Sequence, residues 1–146
     1  MDQMDVVTTF LYGSLDEVIY MRQPIGYVKK GHYNLVCRLL KAIYGLKQAP
    51  RQWNIRFDEF MKTLGYSRSV HDPCVYMKKV SNATFGYIIL VLYVDDMLIL
   101  AKERSDIEKC KKQLNSAFKM KDLGTAKRIL GMDIHRDLKT SNLWLT

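Results

Sequence analysis

The longest apolar tract of the chain is also its most interrupted one. Residues 87 to 102 read YIILVLYVDDMLILAK, with eight apolar or aromatic positions, then Asp95-Asp96, then five more apolar positions. Strand, two residues, strand predicts a β-hairpin with the two aspartates at or beside its turn. The flanking runs lack the polar alternation of a solvent-facing sheet, so the hairpin is expected to be buried along most of its length. Residues 4 to 11, MDVVTTFL, read as a buried strand running into a turn at Tyr12-Gly13-Ser14. Shorter strands are expected at Val18–Met21, Leu35–Leu40 and Cys74–Met77, and a turn at Ser81–Thr84.

After Pro50 the period changes. Trp53, Phe57, Phe60, Met61 and Leu64 fall on one face of a helix, with Pro50 in its first turn and Gly65 at its stop. A second helix carries Ile107, Cys110, Leu114, Ala117 and Phe118 as its buried stripe and ends before Gly124. Ser105 and Glu108 have capping-box spacing at its start. The tail reads as a strand over Arg128–His135 and another over Leu143–Leu145, joined by a polar turn at Lys139–Asn142. The fold class is α+β, a mostly antiparallel sheet with two helices packed on one face, in a single domain over 1–146.

Composition changes this picture little. The chain has 146 residues, 48% hydrophobic and 26% charged, which suits one globular domain. A formal charge of +8 favours a polyanionic partner, nucleic acid above all. Three widely spaced cysteines without a CxxC read as reduced thiols, and Pro73 makes His71-Asp72-Pro73-Cys74 a turn before a metal site. The opening Met1-Asp2-Gln3-Met4-Asp5 is no signal peptide, and two carboxylates inside the apolar tract argue against a membrane span.

The aspartates carry the candidate chemistry. Adjacent carboxylates about 4 Å apart repel by roughly 4 kcal/mol at an effective dielectric of about 20. A hard cation such as magnesium relieves that repulsion, and so does a solvated turn; spacing alone leaves both readings open. Asp5 is a third acid set within an apolar strand, where an unpaired carboxylate is costly. If its strand neighbours the hairpin, three carboxylates converge in the manner that holds two ions for phosphoryl transfer.

At this point the residues resemble a known family. Tyr93-Val94-Asp95-Asp96 resembles the YVDD box of reverse transcriptases. QMDVVTTFLYGSLDEVIYMRQPIGY (3 to 27), LLKAIYGLKQAPRQWNIRFDEFM (39 to 61), DPCVY (72 to 76) and FKMKDLGTAKRILGMDI (118 to 134) resemble the polymerase region of copia-type retrotransposons. The resemblance implies a reverse-transcriptase palm acting as an RNA-directed DNA polymerase. It implies two Mg²⁺ ions, with Mn²⁺ as a substitute, held by Asp5 and Asp95 with Asp96 in support. Val6, Thr8 and Thr9 would lie along the triphosphate, Phe10 would be the steric gate against a ribose 2′-hydroxyl, and Tyr44 and Gly45 would line the nucleotide pocket. Tyr93, Val94 and Gly131 would meet primer and template. Without the family, Phe10 and Tyr44 read as core aromatics; Trp53 reads as core either way. The implied partners are a primed RNA or DNA template and deoxynucleoside triphosphates, with no membrane. The implied location is intracellular, in a cytoplasmic virus-like particle or the nucleus.

The chain departs from the family where MDVVTTFLYG stands for the usual MDVKTAFLNG. Val7 replaces a lysine, Thr9 an alanine and Tyr12 an asparagine. The expectation is a palm truncated at both ends, with fingers largely missing and thumb and ribonuclease H absent. The rival reading is an inactive retroelement relic that folds and binds nucleic acid without catalysis.

Overall fold

The computed structural model describes residues 1–80, 86–137, 139–140 and 142–146. Its elements run β1 (Asp2–Val6), a 3-10 turn (Thr9–Tyr12), β2 (Tyr20–Arg22), β3 (Val36–Arg38), α1 (Ala49–Thr63), β4 (Ser67–Arg68) and β5 (Val75–Lys79). The apolar tract then supplies β6 (Tyr87–Tyr93) and β7 (Asp96–Leu100). After them come α2 (Arg104–Ala117), β8 (Met120–Thr125), β9 (Arg128–Ile129), β10 (Met132–Asp137) and β11 (Asn142–Leu145). The chain divides into two units, residues 1–7 with 58–146, and residues 8–57.

The first unit is organised by a six-stranded sheet in the order β4-β5-β6-β7-β1-β8, antiparallel throughout. Period-two burial decides its faces. Met4 and Val6 of β1, Ile88, Leu90 and Leu92 of β6, and Met97 and Ile99 of β7 are buried on one side. Each such side chain contributes about 1.5–3 kcal/mol on full burial. The apolar stripe of α2, namely Ile107, Cys110 and Leu114, is buried too, and Phe60 meets Phe118 edge-on at 5.1 Å. Gln3, Asp5, Asp96, Leu98, Val91 and Tyr93 occupy the other, more open face. The fold is α+β, as its periodicities imply. A separate sheet, β11-β10-β9, carries the C-terminal residues.

The second unit holds the β2–β3 ribbon, the 3-10 turn and the start of α1. Trp53 and Phe57 are buried, with ring centroids 5.3 Å apart, and Tyr12 lies 6.0 Å from Trp53. Gly13 is required by close approach: a Cβ there would come within 2.8 Å of the Gln52 Cβ.

Several sequence expectations need correction. The strand expected over residues 4 to 11 ends at Val6, because Thr8 takes a left-handed φ of 57° and starts a 3-10 turn. Ser105 does not cap α2; the N-cap is Glu103, without a side-chain hydrogen bond, and Glu108 pairs instead with Arg104. The strand expected over Arg128–His135 is itself a hairpin, folded at Leu130 and Gly131 with φ of 49° and 84°. The two-residue β4 and the β8 strand, a sheet neighbour of β1, were not anticipated. The Ser81–Thr84 turn lies outside the described residues, as does Ser141 of the turn expected at Lys139–Asn142. The His71–Cys74 segment is a turn, closed by the Cys74 N–H donating to the Asp72 carboxylate at 2.8 Å. Among the described residues no helix is long and apolar enough to cross a membrane.

Candidate active site

Two strands and one turn bring the acids together. Antiparallel pairing sets Asp5 of β1 directly opposite Asp96 of β7. The hairpin closes with Tyr93 opposite Asp96, so Val94 and Asp95 are the two turn residues and Asp96 is the first strand residue after them. The Val6 N–H donates to the Asp95 carbonyl at 3.0 Å, which fixes the turn against β1. All three aspartates thus lie at one end of the β1–β7 pair. Directly opposed side chains on such a pair have Cβ atoms about 4.5–5.5 Å apart.

The charge balance there is unfavourable to the carboxylates. Burial pushes the Asp5 carboxyl above the usual carboxylate range, and the neighbouring charges of Asp95 and Asp96 push it further. Lys121, the β8 residue opposite Asp5 on its other side, works in the opposite sense. The Gln3 amide also reaches Asp96, at 3.4 Å. A raised carboxyl favours folding most while protonated, so its benefit fades as pH rises above the ordinary 3.8. Asp5→Asn is therefore expected to raise the stability of the metal-free protein at pH 7, by up to about 1 kcal/mol. Thermal denaturation in EDTA checks this; a loss of stability would contradict the repulsion.

Oxygen donors crowded beside excess negative charge fit a hard divalent cation. The side chains are not drawn into a cage, however: among the described residues no three His, Cys, Asp or Glu are gathered closely enough to hold a metal ion. The convergence expected of the acids is present in the backbone register and in their mutual repulsion, and stops short of a preformed three-ligand set.

The turn itself is strained. Val94 has a φ of 56°, a left-handed value that a β-branched residue rarely adopts, at the first turn position where glycine is preferred. Val94→Gly is expected to stabilise the protein by about 1 kcal/mol, read as a higher urea midpoint; an unchanged midpoint would mean the turn is relaxed.

The other candidate residues are distributed as follows. Tyr93 is exposed on the same face as Asp96. Val6 is buried, Thr8 is exposed and accepts from the Leu11 N–H at 2.9 Å, and Thr9 is fully buried. In the second unit Phe10 and Tyr44 pack ring against ring, centroids 4.6 Å apart and tilted by 54°. Tyr44 is 57% exposed, so it is no core residue. Gly45 follows it in an exposed loop with φ of 92°, and Gly131 sits at the β9–β10 tip. Lys121 escaped sequence reasoning because β8 did: Met120-Lys121-Asp122-Leu123 carries no period-two alternation.

A family model for reverse transcriptase (RNA-dependent DNA polymerase) matches residues 1–145. The chain belongs to this family. It is 52% identical over 145 residues to the retrovirus-related Pol polyprotein from transposon TNT 1-94 of Nicotiana tabacum, covering 99% of this chain and 11% of that protein. It is 37% identical over 133 residues to the putative transposon Ty5-1 protein of Saccharomyces cerevisiae, covering 91% and 42%. The transposon RE1 Pol polyprotein of Arabidopsis thaliana is 34% identical over 134 residues, covering 92% and 9%. The chain therefore spans between about a tenth and two fifths of the length of these relatives. No solved structure matches. The copia-type resemblance holds, and the chain is a reverse-transcriptase region of the transposon Pol type.

Proposed function

We propose that this chain carries the nucleotidyl-transfer centre of an RNA-directed DNA polymerase, with Asp5, Asp95 and Asp96 as its acids. The observation that supports the reading is the register that sets Asp5 opposite Asp96 beside the Asp95 turn. When bound, two Mg²⁺ ions would lower the barrier to attack of a primer 3′-hydroxyl on the α-phosphate and stabilise the leaving pyrophosphate. The chain's own contribution is to hold carboxylates in fixed relative positions on rigid strands. Asp5 and Asp95 would hold the ions, with Asp96, which stands opposite Asp5 in the register, in support. Lys121 limits the repulsion that the acids suffer before an ion arrives.

The nucleotide would be met by Val6, Thr8, Thr9, Phe10, Tyr44 and Gly45, and primer–template by Tyr93, Val94 and Gly131. The left-handed Thr8 supports this for the triphosphate, since it opens the 3-10 turn that follows β1. The exposed ring of Tyr44 against Phe10 supports a role for the pair at the sugar. Substrates are a primed RNA or DNA template and deoxynucleoside triphosphates, at an intracellular location such as a cytoplasmic particle.

The relic reading differs in one result. Primer extension on an RNA template with Mg²⁺, by this chain and by a version extended along its natural flanks, separates the two. Extension by either protein supports the polymerase, and failure by both leaves the relic.

A further inference from the structure

The pairing of β8 with β1 changes phase part-way along. Asp2 stands opposite Thr125 and Gln3 opposite Gly124, but then Met4 stands opposite Asp122, Asp5 opposite Lys121 and Val6 opposite Met120. Leu123 is the extra residue of a β-bulge. Directly opposed residues of an antiparallel pair share a face of the sheet, and a slip of one residue exchanges the faces. The bulge therefore selects the charge that β8 turns towards the aspartates. Asp122 joins Met4 on the side of α2, and Lys121 joins Asp5 on the open side. Had the phase set by Asp2 and Gln3 continued, Asp122 would lie opposite Asp5. The acid face would then carry a fourth carboxylate, and Lys121 would lie opposite the buried Val6.

Gly124 and a clasp from α2 hold the bulge. Gly124 takes a φ of 71°, a left-handed value that costs glycine little. Its N–H donates to the Asp122 carboxylate at 2.8 Å, closing a short turn over Leu123. Lys111 of α2 donates to both Asp122 oxygens, at 3.0 and 2.9 Å, and to Asp2 of β1. Leu123 itself is 42% exposed, so no burial of its side chain anchors the bulge. On the open side Lys121 is within electrostatic reach of Asp5.

We infer that the Leu123 bulge, held by the Lys111–Asp122 clasp, makes Lys121 the charged partner that β8 gives the acid centre, in place of a fourth carboxylate. Lys121 is a positioning residue: it balances Asp5 while no divalent ion is bound and repels the ion once one arrives. Lys111 and Asp122 act on the centre through it, from the other side of the sheet. The effect on ions rests on the polymerase reading; the balance between Lys121 and Asp5 does not.

Two measurements on the 146-residue chain at pH 7 test this. In EDTA, Lys121→Met is expected to lower the melting temperature by about 2 °C, as for an exposed ion pair, and to change nothing in an Asp5→Asn background. With Mn²⁺ alone as the probe, the electron paramagnetic resonance signal of the free ion reports binding. Lys121→Met is expected to tighten binding about five-fold or more, and Lys121→Arg to keep the wild-type affinity. Asp122→Asn keeps the acceptor oxygen of the clasp and should leave the affinity within about two-fold, because residue 122 faces away from the ion. Asp122→Ala opens the clasp and should reduce the effect of Lys121→Met to about two-fold or less. Equal losses from Lys121→Met with and without the Asp5 carboxylate would overturn the inference. So would weaker Mn²⁺ binding in Asp122→Asn, the mark of an unbulged strand, or an undiminished Lys121→Met effect beside Asp122→Ala. A wild type that takes up no Mn²⁺ would remove the polymerase centre and leave the EDTA comparison to decide the bulge. Mn²⁺ binding that Asp95→Asn abolishes, together with equal Lys121→Met losses in EDTA, would keep the centre and remove the bulge's part in it.

Discussion

Lys111→Met is expected to destabilise the protein by about 3 kcal/mol, lowering its melting temperature by on the order of 10 °C. Lys111 projects from α2 among otherwise apolar neighbours and is nearly fully buried. Its ammonium donates to Asp2 of β1 and to Asp122 of β8 at 2.9 Å, joining two adjacent strands to the helix above them. Asp2 is 1% exposed, and its second cation is Arg104. Burial alone would raise the Asp2 carboxyl; the hydrogen bonds from Lys111 and Arg104 outweigh it and hold the group below its ordinary 3.8. Removing Lys111 leaves a buried carboxylate with half its compensation, and that uncompensated charge costs more than the pair contributes.

The same network sets a pH dependence. A depressed carboxyl contributes stability that is complete above its unfolded value and lost as pH falls through the folded one. Acid unfolding below about pH 4 is therefore expected to be shallower in Lys111→Met than in the wild type. Adding Asp2→Asn to Lys111→Met should recover at least about 1 kcal/mol, since a neutral amide still accepts from Arg104. Urea titration of the single and double variants measures both effects. A Lys111→Met protein as stable as the wild type would show the network to be dispensable.

Lys111 illustrates what the sequence does and does not make legible. Its neighbours Ile107, Cys110 and Leu114 mark the buried face of α2 by period, but a lysine on that face is indistinguishable from a solvated one until its acidic partners are placed. Those partners, at positions 2 and 122, come from strands more than a hundred residues apart in the chain. The hairpin was legible because both of its strands are long and apolar, and α1 because its stripe repeats over fifteen residues. β8 was not, because Met120-Lys121-Asp122-Leu123-Gly124-Thr125 is mostly exposed and takes its strand form from pairing with β1 across a bulge. Thr8 and Val94 were missed as backbone features for a related reason. A left-handed β-branched residue contradicts local preference, and only the surrounding pairing holds it there. The acids were found as residues; their register, with Asp96 opposite Asp5, was not deducible from spacing.

That register gives the largest effect of all. Asp95→Asn is expected to lower primer extension by a factor of about 10³ or more. Losing one ion's transition-state stabilisation is several kcal/mol, and each 1.36 kcal/mol is tenfold. The substitution is isosteric and keeps the Asp95 carbonyl that accepts from Val6, so the turn should remain in place. It also removes one of the two neighbouring charges that burden Asp5, so stability in EDTA should hold or rise. A loss of extension without a loss of stability separates chemistry from folding. Melting curves supply the second readout. Mg²⁺ that binds only the folded state raises the melting temperature with concentration, and Asp95→Asn should flatten that rise by withdrawing a ligand. Equal extension rates in the two proteins, or parallel magnesium titrations, would detach Asp95 from the ion and leave the opposed Asp5 and Asp96 as a repulsive pair with no purpose in catalysis.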